Sequence, residues 1–280
     1  MIRDILLYLS DDGHALEHAK ASAALAEGLS ARLTGLAVAE PLAAHAEYLP
    51  PEALDRYREA WKTRNARLAA AFKEGVDSRA ISTEWRAVED LRIDRNTLDV
   101  IALQARYADL LIVGQMDPDR PADLVPGDLP GQAAVLAGRP VLAWPYAWQR
   151  RPVGRRVIIG WNGSRESARA VSDALPLLRQ AEAVQVVVVG SQQGSQGRHG
   201  DVPGADIAAH LARHAVPVEA NDQTRSDIPV ADALLSAAAD FDADLLVMGA
   251  YGRSRLRELV LGGTTRRVLS EMTLPVLLAH

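Results

Sequence analysis

The chain contains no cysteine, which removes disulfides, thiol nucleophiles, cysteine-ligated zinc and iron–sulfur clusters together and points to a reducing, cytoplasmic compartment. No uninterrupted apolar run approaches the roughly 18 residues of a membrane helix. The opening, Met1-Ile2-Arg3-Asp4-Ile5, lacks the basic and then apolar segments of a secretory signal. Positive charge is not in excess either: 31 Lys and Arg stand against 36 Asp and Glu, a formal net charge of −5, whereas nucleic acids and anionic membranes call for basic surfaces. Neither is expected as a partner. Also missing are the Gly-x-x-x-x-Gly-Lys-Ser/Thr loop, the Gly-x-Gly-x-x-Gly turn, the Gly-x-Ser-x-Gly elbow and the His-Glu-x-x-His pair. Without an assignable base, nucleophile or metal cage, the sequence names no catalytic residue and no metal site.

What is present is an ordinary soluble composition, 48% hydrophobic and 24% charged over 280 residues, enough at roughly 150 residues per domain for two domains. An internal repeat supports that count. Ala108-Asp109-Leu110-Leu111-Ile112-Val113-Gly114 matches Ala243-Asp244-Leu245-Leu246-Val247-Met248-Gly249, 135 residues further on. The same offset sets Arg139-Pro140-Val141-Leu142-Ala143 on Leu274-Pro275-Val276-Leu277-Leu278, and Gly127 on Gly262. The starts of the halves align at an offset of 151, with Asp11 opposite Asn162. Extra residues fall in Pro41 to Asp77, where Glu52 to Lys73 reads as one long helix behind Pro50-Pro51. The second copy has a Gly/Gln/Ser-rich stretch from Gly190 to Gly204 that reads as a loop. The polar segment Ala147 to Arg155 is the linker, so the expected domains are 1–150 and 151–280.

Short β-branched runs alternate with helical stretches in both copies. The strands expected in the first are Ile5 to Leu9, Leu33 to Ala39, Ile81 to Arg86, Leu110 to Val113 and Val141 to Trp144. Those in the second are Val157 to Gly160, Val184 to Val189, Val216 to Ala220, Leu245 to Met248 and Val276 to Leu278, with helices over Glu166 to Leu178 and Val230 to Ala239. Runs such as Val186-Val187-Val188-Val189 suit strands covered on both faces. The fold class read from this alternation is α/β, two tandem doubly wound, Rossmann-like layers, whose ligands belong at the carboxyl ends of the strands.

After the fourth strand of the second copy come Gly249-Ala250-Tyr251-Gly252, nine residues, and Gly262-Gly263-Thr264-Thr265 where a helix should begin. Glycines permit close backbone approach and a helix N-terminus favours phosphate, while an ordinary turn with a helix cap explains the same residues without a ligand. Gly-x-x-Gly, nine residues, then Gly and a hydroxyl residue resembles the nucleotide loop of the universal stress protein family. Ile158-Ile159-Gly160-Trp161-Asn162-Gly163-Ser164 and Pro275-Val276-Leu277 resemble the strands that open and close a domain of that family. The resemblance covers both halves and implies, in each, a five-stranded parallel sheet with helices on both faces.

It also implies a site for ATP, ADP or AMP, with Mg²⁺, in the second half. Asn162 would meet the adenosine part and Val189 would lie beside the adenine. Met248, Gly249 and Gly252 would flank ribose and phosphates, with Tyr251 as a wall, and Gly262, Gly263, Thr264 and Thr265 would hold the phosphates. Two positions depart from the family pattern: Asn162 replaces an Asp, and Gly263 replaces a Ser. In the first half Asp117, Asp128 and Pro130 stand at the positions of Gly252, Gly263 and Thr265, so that half is expected to be degenerate and nucleotide-free.

The resemblance therefore implies a stress-response protein that binds an adenine nucleotide in its C-terminal domain and acts by regulation on an unidentified protein partner. A nucleotide-free interaction or dimerisation module and a slow Mg²⁺-dependent ATP hydrolase remain open as alternatives. Pairing through the last strands, Pro140 to Trp144 against Pro275 to Leu278, would make the halves an intramolecular pseudo-dimer, and whole chains could form a homodimer. His14 and His18, four apart with Glu17, find no third ligand and read as solvated histidines. Arg253, Arg255, Arg257, Arg266 and Arg267 read equally as phosphate neighbours or as a solvated face. Trp144, Trp148 and Trp161 read as packing residues.

Overall fold

The computed structural model describes residues 1–39, 50–89, 96–119, 128–147, 152–188, 204–221, 228–251 and 263–280. The chain divides into two compact units, Met1–Arg139 and Pro140–His280. The first contains β1 (Asp4–Tyr8), α1 (Ala15–Leu29), β2 (Arg32–Val38), α2 (Pro51–Val76), β3 (Thr83–Val88), α3 (Thr97–Ala105), β4 (Leu110–Gly114) and α4 (Leu129–Leu136). The second contains β5 (Val141–Trp144), β6 (Arg156–Trp161), α5 (Arg165–Leu178), β7 (Ala183–Val188), α6 (Ala205–Arg213), β8 (Val218–Asn221), α7 (Val230–Asp240), β9 (Leu245–Gly249), α8 (Gly263–Glu271) and β10 (Val276–Ala279).

Within the first unit the strands run in the order β3-β2-β1-β4, all parallel. In the second the order is β10-β9-β6-β7-β8, again parallel, with β5 added antiparallel to β10. The expected pairing of Pro140 to Trp144 with Pro275 to Leu278 is present: Val141 faces Leu278, Leu142 faces Leu277 and Ala143 faces Val276. That pairing draws β5 into the second compact unit, so this unit begins at Pro140 rather than at residue 151, where the linker composition drew the domain boundary.

Burial explains why these segments are strands. Leu110, Leu111, Ile112 and Val113 in β4, and Leu245, Leu246 and Val247 in β9, are fully enclosed, as two-sided coverage of a parallel sheet requires. Trp144 is fully buried, as a packing residue should be. In the long helix α2 a narrow stripe, Trp61, Leu68, Phe72 and Val76, faces inward while most of the helix is exposed. Phe72 reaches Trp85 of β3 with ring centroids 5.4 Å apart, across Gly35 of β2, where a Cβ would stand 2.7 Å from both rings. Among the described residues no helix is long and apolar enough to cross a membrane.

The repeated Ala-Asp-Leu-Leu has a definite structural meaning. Asp244, just before β9, accepts the backbone N–H groups of Gly154 (2.7 Å), Arg155 (3.0 Å) and Arg156 (3.2 Å) at the start of β6. Asp109, just before β4, accepts those of Arg3 (2.8 Å) and Asp4 (3.1 Å) at the start of β1. In both units an aspartate thus ties the amino ends of the two central strands together, opposite the end where their carboxyl termini open.

Candidate functional site at the carboxyl ends of β6 and β9

From β6 the chain builds outward through β7 to β8, then returns to place β9 on the other side of β6. The carboxyl ends of β6 and β9 therefore form the topological switch point where open α/β sheets receive ligands. Asn162, Met248, Gly249 and Tyr251 lie there, and Gly263, Thr264 and Thr265 begin the next helix, α8. Val189, Gly252 and Gly262, together with Arg253, Arg255, Arg257 and Trp148, lie outside the described residues.

Asn162-Gly163-Ser164 folds as the entry to α5. The Asn162 Oδ1 accepts the Ser164 N–H at 3.1 Å, and Gly163 takes φ +67°, a conformation that favours glycine. Ser164 caps the helix: its Oγ accepts the Ser167 N–H at 3.2 Å, and the Ser167 hydroxyl donates to the Ser164 carbonyl at 2.9 Å. The turn engages the carbonyl of the exposed Asn162 and leaves its amide N–H groups as the donors it can offer a ligand.

Gly249 serves packing. A Cβ there would stand 2.6 Å from the Ser167 nitrogen and 2.9 Å from the Glu166 Cβ, so the missing side chain makes room for the first turn of α5. Glu166 lies against it, 1% exposed on its side chain, with Oε1 accepting from the Arg165 Nε at 2.6 Å and Oε2 buried without a partner. Burial raises its carboxyl pKa, but Arg165, its own backbone N–H and the Ser164 hydroxyl outweigh that and hold it below the usual glutamate value. Beyond Gly249, the Ala250 N–H donates to the Ala279 carbonyl at 2.8 Å, the Ala250 carbonyl lies 2.9 Å from the His280 Nδ1, and Tyr251 takes φ +50°. At the start of α8 Gly263 is exposed and open, Thr264 is half-buried, and Thr265 is buried on the face with Val268 and Leu269. The sequence treats the two threonines alike; the helix separates them.

The equivalent crevice of the first unit is occupied by its own side chains. His14 Nε2 meets Asp117 Oδ2 at 3.0 Å, joining the start of α1 to the segment after β4, and Asp117 Oδ1 accepts the Asp119 N–H at 2.9 Å. The expectation of solvated histidines is corrected here. His18 is 4% exposed, wedged over Gly114, where a Cβ would stand 2.6 Å from its Cε1. Strand pairing also corrects the offset between the halves: Ile5 faces Leu110 as Val157 faces Leu245, so the first strands are 152 residues apart, not 151. Asp11, expected opposite Asn162, instead pairs with Arg67. The residue that repeats the Asn162 turn is Asp12, whose Oδ1 accepts the His14 N–H at 2.8 Å and whose Oδ2 accepts the Ser10 hydroxyl at 2.7 Å. Among the described residues no three His, Asp or Glu side chains gather as metal ligands would.

A sequence model of the universal stress protein family matches residues 154–280. A universal stress protein of Synechocystis, Slr1230, is 48% identical over 46 residues; that match spans 16% of this chain and 16% of the curated relative's own length. Among solved structures, a universal stress protein from Archaeoglobus fulgidus superposes with a TM-score of 0.69 at 14% identity, covering 99% of this chain and 95% of that one. A functionally unknown protein from Pseudomonas aeruginosa PAO1 superposes with a TM-score of 0.54 at 19% identity, over 99% and 92% of the two chains. At such identities the likeness establishes the shared fold.

Proposed function

We propose that the second unit of this chain, whose residues 154–280 match the universal stress protein family, binds ATP or a related adenine nucleotide, with Mg²⁺, at the crevice between β6 and β9. The observation that carries this reading is the spacing Gly249-x-x-Gly252, nine residues, Gly262-Gly263-Thr264, which joins the end of β9 to the first turn of α8. Free N–H groups and the positive end of a helix dipole favour phosphate at such a turn. Gly263 leaves the backbone open, and the Thr264 hydroxyl adds a donor. Adenosine would then lie towards Asn162 and the end of β7, with Val189 beside the base.

The bound nucleotide sets the surface offered to a protein partner, so binding is the function and the stress response is its setting. The first unit takes a structural or regulatory part, its crevice being filled by the His14–Asp117 contact. Denaturing the purified chain and identifying released nucleotide by chromatography, followed by titration calorimetry of the stripped protein with ATP, tests the reading. About one adenine nucleotide per chain is expected. No released nucleotide and no titration heat would leave the interaction module as the function.

A further inference from the structure

We propose that Glu166 selects the sugar of the bound nucleotide, its buried Oε2 accepting a hydrogen bond from a ribose hydroxyl; this rests on the nucleotide reading above. Glu166 is the second residue of α5, and its Cβ lies 2.9 Å from where a Cβ on Gly249 would stand, which sets this residue against the last residue of β9, next to the switch point. One carboxylate oxygen is held by the Arg165 Nε at 2.6 Å, while the other is buried and receives no hydrogen bond. A buried acceptor left without a donor is unfavourable, and folded proteins retain few of them.

The chemistry of the missing donor can be narrowed. A carboxylate repels phosphate, so it marks a part of the ligand that carries donors and no charge. Phosphates belong at the start of α8 and the base towards β7, which leaves the sugar between them, over the ends of β9 and β6. A carboxylate pairing with ribose hydroxyls is a recurrent arrangement at such crevices. Asn162 offers only a weaker, neutral acceptor, since its carbonyl already accepts the Ser164 N–H at 3.1 Å and keeps one lone pair. The two residues divide the work, Asn162 supplying donors and Glu166 the charged acceptor. Arg165, whose side chain is 55% exposed, holds the other oxygen and leaves Oε2 to the sugar.

The test is titration calorimetry of the full chain, wild type and Glu166→Gln, with ADP, 2′-deoxy-ADP and 3′-deoxy-ADP. A site built to hydrogen-bond a hydroxyl through a charged acceptor rejects the deoxy analogue by roughly tenfold or more. Wild type should show that loss for at least one deoxy nucleotide, and Glu166→Gln should shrink it to roughly threefold or less because the neutral amide is the weaker acceptor. Glu166→Asp, with its carboxylate one methylene shorter, should lose the discrimination too, and thermal unfolding of each variant reports whether it folds. Equal affinity of wild type for all three nucleotides overturns the proposal without recourse to any variant. Undiminished discrimination in folded Glu166→Gln overturns it while leaving nucleotide binding intact, and a wild type that binds no adenine nucleotide overturns both readings.

Discussion

A Cβ on Gly249 would stand 2.6 Å from the backbone nitrogen of Ser167, so the end of β9 and the first turn of α5 meet backbone against backbone. In the first unit Gly114 holds the same place in the repeat, but it admits the His18 imidazole instead. The repeated glycine is therefore a packing device in both copies.

Gly249→Ala should lower stability by about 1–3 kcal/mol, the usual cost of overpacking, because the atoms in the way are backbone and cannot turn aside. Gly263→Ala is its control. Nothing lies within 4 Å of a Cβ there, and the residue opens a helix, so that change should be neutral or stabilising by up to about 1 kcal/mol. Urea unfolding of both variants decides the matter; equal effects would refute this division of roles.

Asp244 and Glu166 should give stability opposite pH signatures. Burial pushes the Asp244 carboxyl above its ordinary value, against the pull of three backbone N–H groups and Arg155. A carboxyl raised on folding favours the folded state most below its unfolded value, about 4, and that share is lost as pH rises through the raised value. Glu166 is shifted downward, so its share is present above an unfolded value of about 4.3 and is lost as pH falls through the folded one. Asp244→Asn should therefore cost more at pH 4 than at pH 7, and Glu166→Gln less. Asp244→Ala, which strands three backbone donors, should cost about 2–4 kcal/mol, while Asp109→Ala, with two donors at a half-buried position, should cost about 1 kcal/mol. Urea unfolding across the pH range supplies both comparisons.

How far the sequence is legible follows from what each signal depends on. The strands of both halves are found to within two residues, because enclosed parallel strands need continuous apolar runs such as Leu110 to Val113. The β5–β10 pairing is expected from the family resemblance and not from the residues themselves. The first-strand offset is not legible, because apolar strands align almost as well after a slip of one residue, and only the facing pairs Ile5–Leu110 and Val157–Leu245 separate 152 from 151. The candidate site is present in the sequence as a motif, and its geometry is not. A glycine reads the same whether a phosphate or a helix approaches it, and nothing in the spacing marks Glu166 as buried beside Gly249.

The phosphate loop gives a pair of opposed predictions on affinity. Gly252→Asp, which copies the first half, should abolish ATP binding by placing a carboxylate among phosphates while leaving thermal unfolding unchanged. Gly263→Ser supplies a hydroxyl at the exposed first residue of α8 and should tighten ATP binding by roughly tenfold, the worth of a hydrogen bond to a charged group. Calorimetry on both variants checks them, and unchanged affinity in Gly252→Asp would remove the loop from the site.

The first unit should remain closed to nucleotide even when its ion pair is broken. His14 Nε2 and Asp117 Oδ2 meet at 3.0 Å across the crevice between β1 and β4, and Asp117 also accepts the Asp119 N–H. Asp117→Gly removes the carboxylate from the position that answers to Gly252, but Asp128 and Pro130 still stand where Gly263 and Thr265 stand in the second unit. Proline supplies no N–H donor, and aspartate repels phosphate. Asp117→Gly should therefore lower stability by about 1 kcal/mol through loss of its contacts with His14 and Asp119, and ATP should still titrate at one per chain. A stoichiometry of two in the wild-type chain would show that the first crevice opens in spite of its own side chains. Two only in Asp117→Gly would make the His14–Asp117 contact the bar to entry.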